Sequence, residues 1–153
     1  MGNGSVIRPG DVQRMRAGTG VTHSEYNHSA TDTVRFLQIW VVPDENGLQP
    51  GYEQKFFGDE RRGTLRLVAS PDGAEESVRI HQDVRMYASL LEDGDRVRHA
   101  LRAGRHVWLQ VVRGNLSVNG VELDEGDGVS FSEATDIVIT STSDSELILF
   151  DLA

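Results

Sequence analysis

Hydrophobic and polar residues alternate along much of this chain with a period of two, the signature of strands with one buried face. From residue 64 onward the alternation is cut every few residues by turn-forming pairs. It predicts short strands at 64–69, 77–81, 84–91, 96–101, 106–112, 115–118, 121–123, 129–131, 136–140 and 146–151. Val84, Met86, Ala88 and Leu90 are the clearest alternating set. Glu92-Asp93-Gly94-Asp95, Asn119-Gly120 and Glu125-Gly126-Asp127-Gly128 are the turns, and Asn-Gly between two alternating runs is the strongest short hairpin signal. Upstream, brief candidates at 6–7 and 12–15 flank Pro9-Gly10-Asp11, and a further strand is expected at 21–26. Residues 33–42 form the longest apolar run, expected to be a strand buried on both faces until Pro43 ends it. Residues 49–63, interrupted by Pro50-Gly51 and Gly58, read as an extended connector, with a short helix expected towards its C-terminal side. No stretch sustains a helical period. Many short strands with Gly and Asp turns predict a β-sandwich or small barrel.

Composition narrows the class without changing that picture. The chain has 153 residues, of which 38% are hydrophobic, enough to bury a core. No apolar run approaches the ~18 residues of a membrane-spanning helix, and Met1–Ser5 lacks the basic and apolar regions of a signal peptide, so a cytoplasmic protein is expected. The absence of cysteine excludes disulfides, thiolate nucleophiles and cysteine-ligated metals. A formal charge of −9 argues against nucleic acid as a partner, because phosphate binding wants a basic surface, and the want of a spanning run argues against a membrane. The arginines at 61–62 and at 96, 98, 102 and 105 are interleaved with acids and read as solvated faces.

Candidate chemistry concentrates in residues 17–27. On a strand, His23 and Glu25 share a face, roughly 6.6–6.8 Å apart along it. An imidazole and a carboxylate so placed can form half of a mononuclear metal site, the plain alternative being a solvated strand face. Ser24 would point the opposite way, which removes a Ser–His nucleophile pair. Gly18-x-Gly20 is not followed by the Lys-Ser/Thr of a phosphate loop. His28 would face away from His23 unless a loop returned it. His81 and His99 read as hydrogen-bonded structural histidines. Within residues 105–110 only His106 has a coordinating side chain, and Trp108 and Leu109 read as packing residues.

The run Met15-Arg16-Ala17-Gly18-Thr19-Gly20-Val21-Thr22-His23-Ser24-Glu25-Tyr26-Asn27 resembles the pirin family, two-cupin proteins that include bacterial quercetin 2,3-dioxygenases. Similar to that family too are 38–43, Tyr52-Glu53-Gln54, His81-Gln82-Asp83, 111–115 and Phe150-Asp151-Leu152, so the resemblance spans nearly the whole chain. It implies an all-β cupin jelly roll: a partial N-terminal cupin at 1–50, a connector at 51–63 and a complete C-terminal cupin barrel without metal ligands at 64–153. It also implies that His23 and Glu25 are two of four metal ligands, Glu25 doubling as the catalytic base of flavonol ring opening. The other pair, a His-x-His on an earlier strand, has no counterpart, since no histidine precedes His23. The chain thus looks like a pirin without its first strands, and Arg16 stands where the family usually has a small Ser or Thr. The cofactor so implied is a divalent ion, iron(II) first, with nickel, copper, manganese or zinc as alternatives, weakly bound or absent for want of ligands. The implied partner is a flavonol-type molecule. Exposed edges left by the missing strands predict a homodimer joined through the N-terminal third. The competing expectation is a non-catalytic cupin interaction module or a remnant of a pirin.

Overall fold

The computed structural model describes residues 4–133 and 136–153. Its centre is strand β12 (Ser145–Leu152), because both faces of that strand are apolar. The sequence reads Ser-Glu-Leu-Ile-Leu-Phe-Asp-Leu; odd positions are buried and even positions half-buried. On one edge β12 pairs antiparallel with β5 (Val84–Leu91), on the other with β7 (His106–Arg113). The sheet is completed by β10 (Gly128–Phe131) beyond β7, and by β3 (Arg66–Ser70) and the short β4 (Val78–Arg79) beyond β5, giving the order β10-β7-β12-β5-β3-β4. A second sheet runs β6 (Arg96–Ala100), β11 (Asp136–Ser141), β8 (Leu116–Val118), β9 (Val121–Leu123).

Pleating sends alternate residues of the large sheet into two different cores. Val107, Leu109, Val111, Leu147 and Leu149 point inward and meet Leu116, Val118, Ile137 and Ile139 from the small sheet, closing a barrel. Val84, Met86 and Ala88 point outward, with Phe150 and Leu152, into a separate cluster with Phe57, Val68 and Val78. Over that outer face lies a hairpin of β1 (Asp11–Arg16) and β2 (Gly51–Phe56), held by Val12 and by the buried Phe57 just after it. The strand pattern expected for 64–153 is found, mostly within a residue or two at each end. The stretch 49–63 holds strand β2, and a short 3-10 helix, Gly58–Arg61, falls where a short helix was expected.

Three expected strands are corrected. Residues 6–7, 21–26 and 33–42 form no strand. A strand exists only where its N–H and C=O groups find a ladder partner, and among the described residues none lies beside them. Residues 31–40 are instead exposed throughout. The loop from β1 to β2 is tethered near its end, where Asp44 N donates to His81 O at 2.8 Å and Gln82 Nε2 to Val42 O at 2.9 Å.

One carboxylate ties the hairpin to the barrel. Glu53 Oε2 accepts from Arg14 Nη2 and from the backbone N–H of Arg79, each at 3.1 Å, and Lys55 Nζ lies 3.2 Å from its Oε1. Burial pushes the Glu53 carboxyl up, but these donors outweigh it and hold the group below its usual value of 4.5. A depressed folded-state pKa contributes stability that is present above the unfolded value and is lost as pH falls through the folded one. Hydrogen exchange of the β1–β2 amides is therefore expected to quicken relative to the barrel between pH 6 and pH 3. The same contrast should largely vanish in Glu53→Gln; an equal contrast in that variant would refute the assignment.

Candidate metal centre

The segment that carries His23 leaves β1 at Arg16 and turns at Ala17–Gly20, where Gly20 N donates to Ala17 O at 2.8 Å. Gly18 has φ 55° and lies so close to the Leu48–Pro50 backbone that a Cβ has no room, which fixes where the segment departs. Beyond the turn, His23, Glu25 and His28 are all exposed, and none has a hydrogen-bond or ion-pair partner among the described residues. With 21–26 unpaired, the face that was to set His23 and Glu25 side by side has no ladder to define it. Among the described residues no three His, Asp or Glu side chains gather closely enough to hold a metal ion.

The donor types suit a divalent transition metal: imidazole nitrogen and carboxylate oxygen serve iron(II), nickel, manganese or zinc. Their number does not. Two donors leave the ion without a fixed geometry, so the described residues do not fit a tight metal site by themselves.

Among the described residues the barrel gathers no cluster of metal-ligating side chains. Positions that would face a metal inside it are filled by fully buried Leu109, Val111, Leu116, Ile139, Leu147 and Leu149. His106 is exposed at the start of β7. His81 and His99 are hydrogen-bonded, as expected: Arg16 Nη1 reaches His81 Nε2 at 3.1 Å, and His99 Nε2 meets Asp151 Oδ2 at 2.9 Å. The second contact belongs to a network that the sequence does not announce. Asp151 is buried on β12, and its Oδ1 accepts from Arg105 Nε at 2.6 Å. Arg105 Nη1 continues to Asp83 Oδ1 at 2.7 Å. Burial alone would lower the Arg105 pKa, but Asp151 and Asp83 raise it above its ordinary value. The His99 ring packs 4.9 Å from that of Tyr87, whose hydroxyl is pushed up by burial and by the Asp151 charge. This cluster bolts the small sheet to the large one.

A shallow groove of about 460 Å³ runs along the outer face of the large sheet. Trp108, Ile148, Phe150 and Leu152 line it on one side, Leu37 and Ile39 on the other. Beside it the strip 34–42 exposes Phe36, Leu37, Ile39, Trp40 and Val42.

Two sheets closed around one apolar core are the architecture of a cupin barrel. The quercetinase C-terminal cupin domain matches residues 67–152, more than half of the chain, and the pirin family profile matches residues 1–41; the chain belongs to the pirin family. Quercetin 2,3-dioxygenase of Escherichia coli K12 is 46% identical over 153 residues, covering 99% of this chain. The chain spans 65% of the length of that relative. Among solved structures, YhhW from E. coli superimposes with a TM-score of 0.93 at 42% identity, covering 100% of this chain and 64% of that one. The bacterial pirin YhhW in complex with nickel(II) gives 0.86 at 44% identity, covering 94% and 61%. Among the described residues no helix is long and apolar enough to cross a membrane.

Proposed function

We propose that this chain is a pirin of the quercetin 2,3-dioxygenase type, in which His23 and Glu25 furnish two ligands of a divalent metal and Glu25 accepts the flavonol hydroxyl proton. The reaction is opening of the flavonol heterocycle by dioxygen with release of carbon monoxide. The observation that carries the reading is the similarity to quercetin 2,3-dioxygenase over 99% of the chain, the His23–Glu25 segment included. In this reading residues 1–50 are a partial N-terminal cupin, 51–63 a connector and 64–153 the barrel, in a cytoplasmic protein. A fixed geometry needs more donors than this pair, and a partner supplies them. A homodimer joined through the N-terminal third, bringing together two copies of the His23–Glu25 pair, is the simplest source.

A non-catalytic interaction module is the second reading, favoured by the exposed apolar strip 34–42 and its groove. A calorimetric nickel titration with light scattering on the same sample separates the two. The catalytic reading expects weak binding by the single, undimerised chain, lost in His23→Ala and in Glu25→Ala, and any quercetin turnover abolished by Glu25→Ala. Tight, stoichiometric binding that survives His23→Ala overturns the ligand assignment. A stable monomer at micromolar concentration overturns the homodimer.

A further inference from the structure

Where the β1–β2 hairpin meets β4, cations outnumber carboxylates although the chain as a whole carries a formal charge of −9. Arg14, Arg16 and Lys55 lie there with Glu53 as the counter-charge. Arg14 sits opposite Glu53 in the ladder and Arg16 opposite Gly51. Because Gly51 has no side chain, both guanidinium groups close over it. A Cβ placed on Gly51 would lie 3.1 Å from Arg16 Nη2 and 3.2 Å from Arg14 Nη1. Two like charges thus flank one point.

Their donors are not satisfied there. Arg14 spends Nη2 on Glu53, while its Nε and Nη1 are buried with no hydrogen-bond partner among the described residues. Arg16 spends Nε on Gln49 O at 2.6 Å and Nη1 on the His81 ring at 3.1 Å. Its Nη2 has no hydrogen-bond partner among the described residues. Buried donors left without an acceptor are costly, more so when charged, and a like-charge pair adds to that cost. Arg14 Nε and Nη1 are two such donors, and Arg16 Nη2 lies beside them over Gly51, where an anion would find all three.

We propose that Arg14 and Arg16 form a binding site for a small oxyanion, a phosphate or a carboxylate, held between the two guanidinium forks above Gly51. Planar forks grip such oxygens bidentately. Arg16 is the outer wall: it is only partly buried, and rotation about its long stem opens the way to Arg14. The site lies at the foot of the segment that carries His23 and Glu25 and needs neither of them. The proposal therefore stands apart from the metal reading and fails or survives without it.

Metal-free protein, isotopically labelled on arginine, is titrated separately with inorganic phosphate and with acetate at constant ionic strength, and the arginine Nε–Hε resonances are followed. Saturable shifts of the Arg14 and Arg16 signals are expected with at least one of the two anions, and the tighter one names the chemistry. Arg16→Gln is expected to weaken binding by about tenfold or more, roughly one charge-assisted hydrogen bond. Arg14→Gln should abolish it. Because Arg14 also holds Glu53, thermal melts verify that each variant is folded, and Arg16→Gln carries the test alone if Arg14→Gln is not. Arg35→Gln, at an exposed arginine paired only to Glu125 at 3.4 Å, should leave binding unchanged. Shifts that do not saturate with either anion, or equal affinity in Arg16→Gln, overturn the proposal.

Discussion

Asp151→Ala is expected to destabilise the barrel by about 2–4 kcal/mol, read as a fall in the urea midpoint with unchanged slope. Truncating one member of a buried ion pair leaves its partner's charge uncompensated, a loss of about 3–5 kcal/mol when burial is complete. Two features temper the figure here. Arg105 keeps Asp83, and it keeps the backbone oxygen of residue 151 at 3.0 Å. Its side chain is also 17% exposed, so water reaches it in part. His99, only 10% exposed, loses the partner of its Nε2 outright. Asp151→Asn retains an acceptor for one of the two donors and should cost clearly less. Equal losses in the two variants would mean that the network contributes shape and no charge compensation.

Gly114→Ala is expected to be as damaging, for a steric reason. Gly114 has φ 80°, and a Cβ there would fall 2.4 Å from the carbonyl oxygen of Asp144 and 2.4 Å from Ser145 Oγ. A backbone oxygen cannot swing aside as a side-chain tip can, and it sits where the chain enters β12. Ser145 Oγ also accepts from Asn115 N at 3.1 Å, so displacement breaks a contact between that entry and the turn before β8. Gly120 supplies the control: its φ is 83°, yet nothing lies within 4 Å of its would-be Cβ. Gly120→Ala should cost only the left-handed strain of about 1–2 kcal/mol. Gly114→Ala should exceed it by at least 2 kcal/mol in the same denaturation experiment, in keeping with overpacking of a rigid site. Similar losses in the two variants would show that the 144–145 backbone yields.

The barrel was legible in the sequence because its strands bury one face each and end at Gly or Asp turns. Residues 84–91 and 121–123 were read at the bounds the structure gives. The N-terminal third misled because apolar pattern reports that a surface wants burial and says nothing of what will cover it. Phe36, Ile39 and Trp40 have the residues of a two-sided strand and none of its neighbours. At the candidate site, the spacing of His23 and Glu25 could be read directly. The contacts Arg14–Glu53, Arg105–Asp151 and His99–Asp151 could not, since they join positions 39, 46 and 52 residues apart. Side-chain pairing at such separations depends on register, which no local pattern encodes.

The position of β12 has a consequence for synthesis on the ribosome. Of the strands in the large sheet, the one latest in the chain takes the middle place, between β5 and β7. Until residues 145–152 have emerged, β5 and β7 have no common neighbour, and each shows water an apolar row destined for the barrel. At about 5–20 residues per second that interval lasts on the order of seconds. Folding of this half therefore waits for residues 145–152, and the nascent chain is at its most chaperone-dependent just before they emerge. A ribosome stalled a few codons short of Ser145 would hold a polypeptide with nearly all of its strands and no barrel.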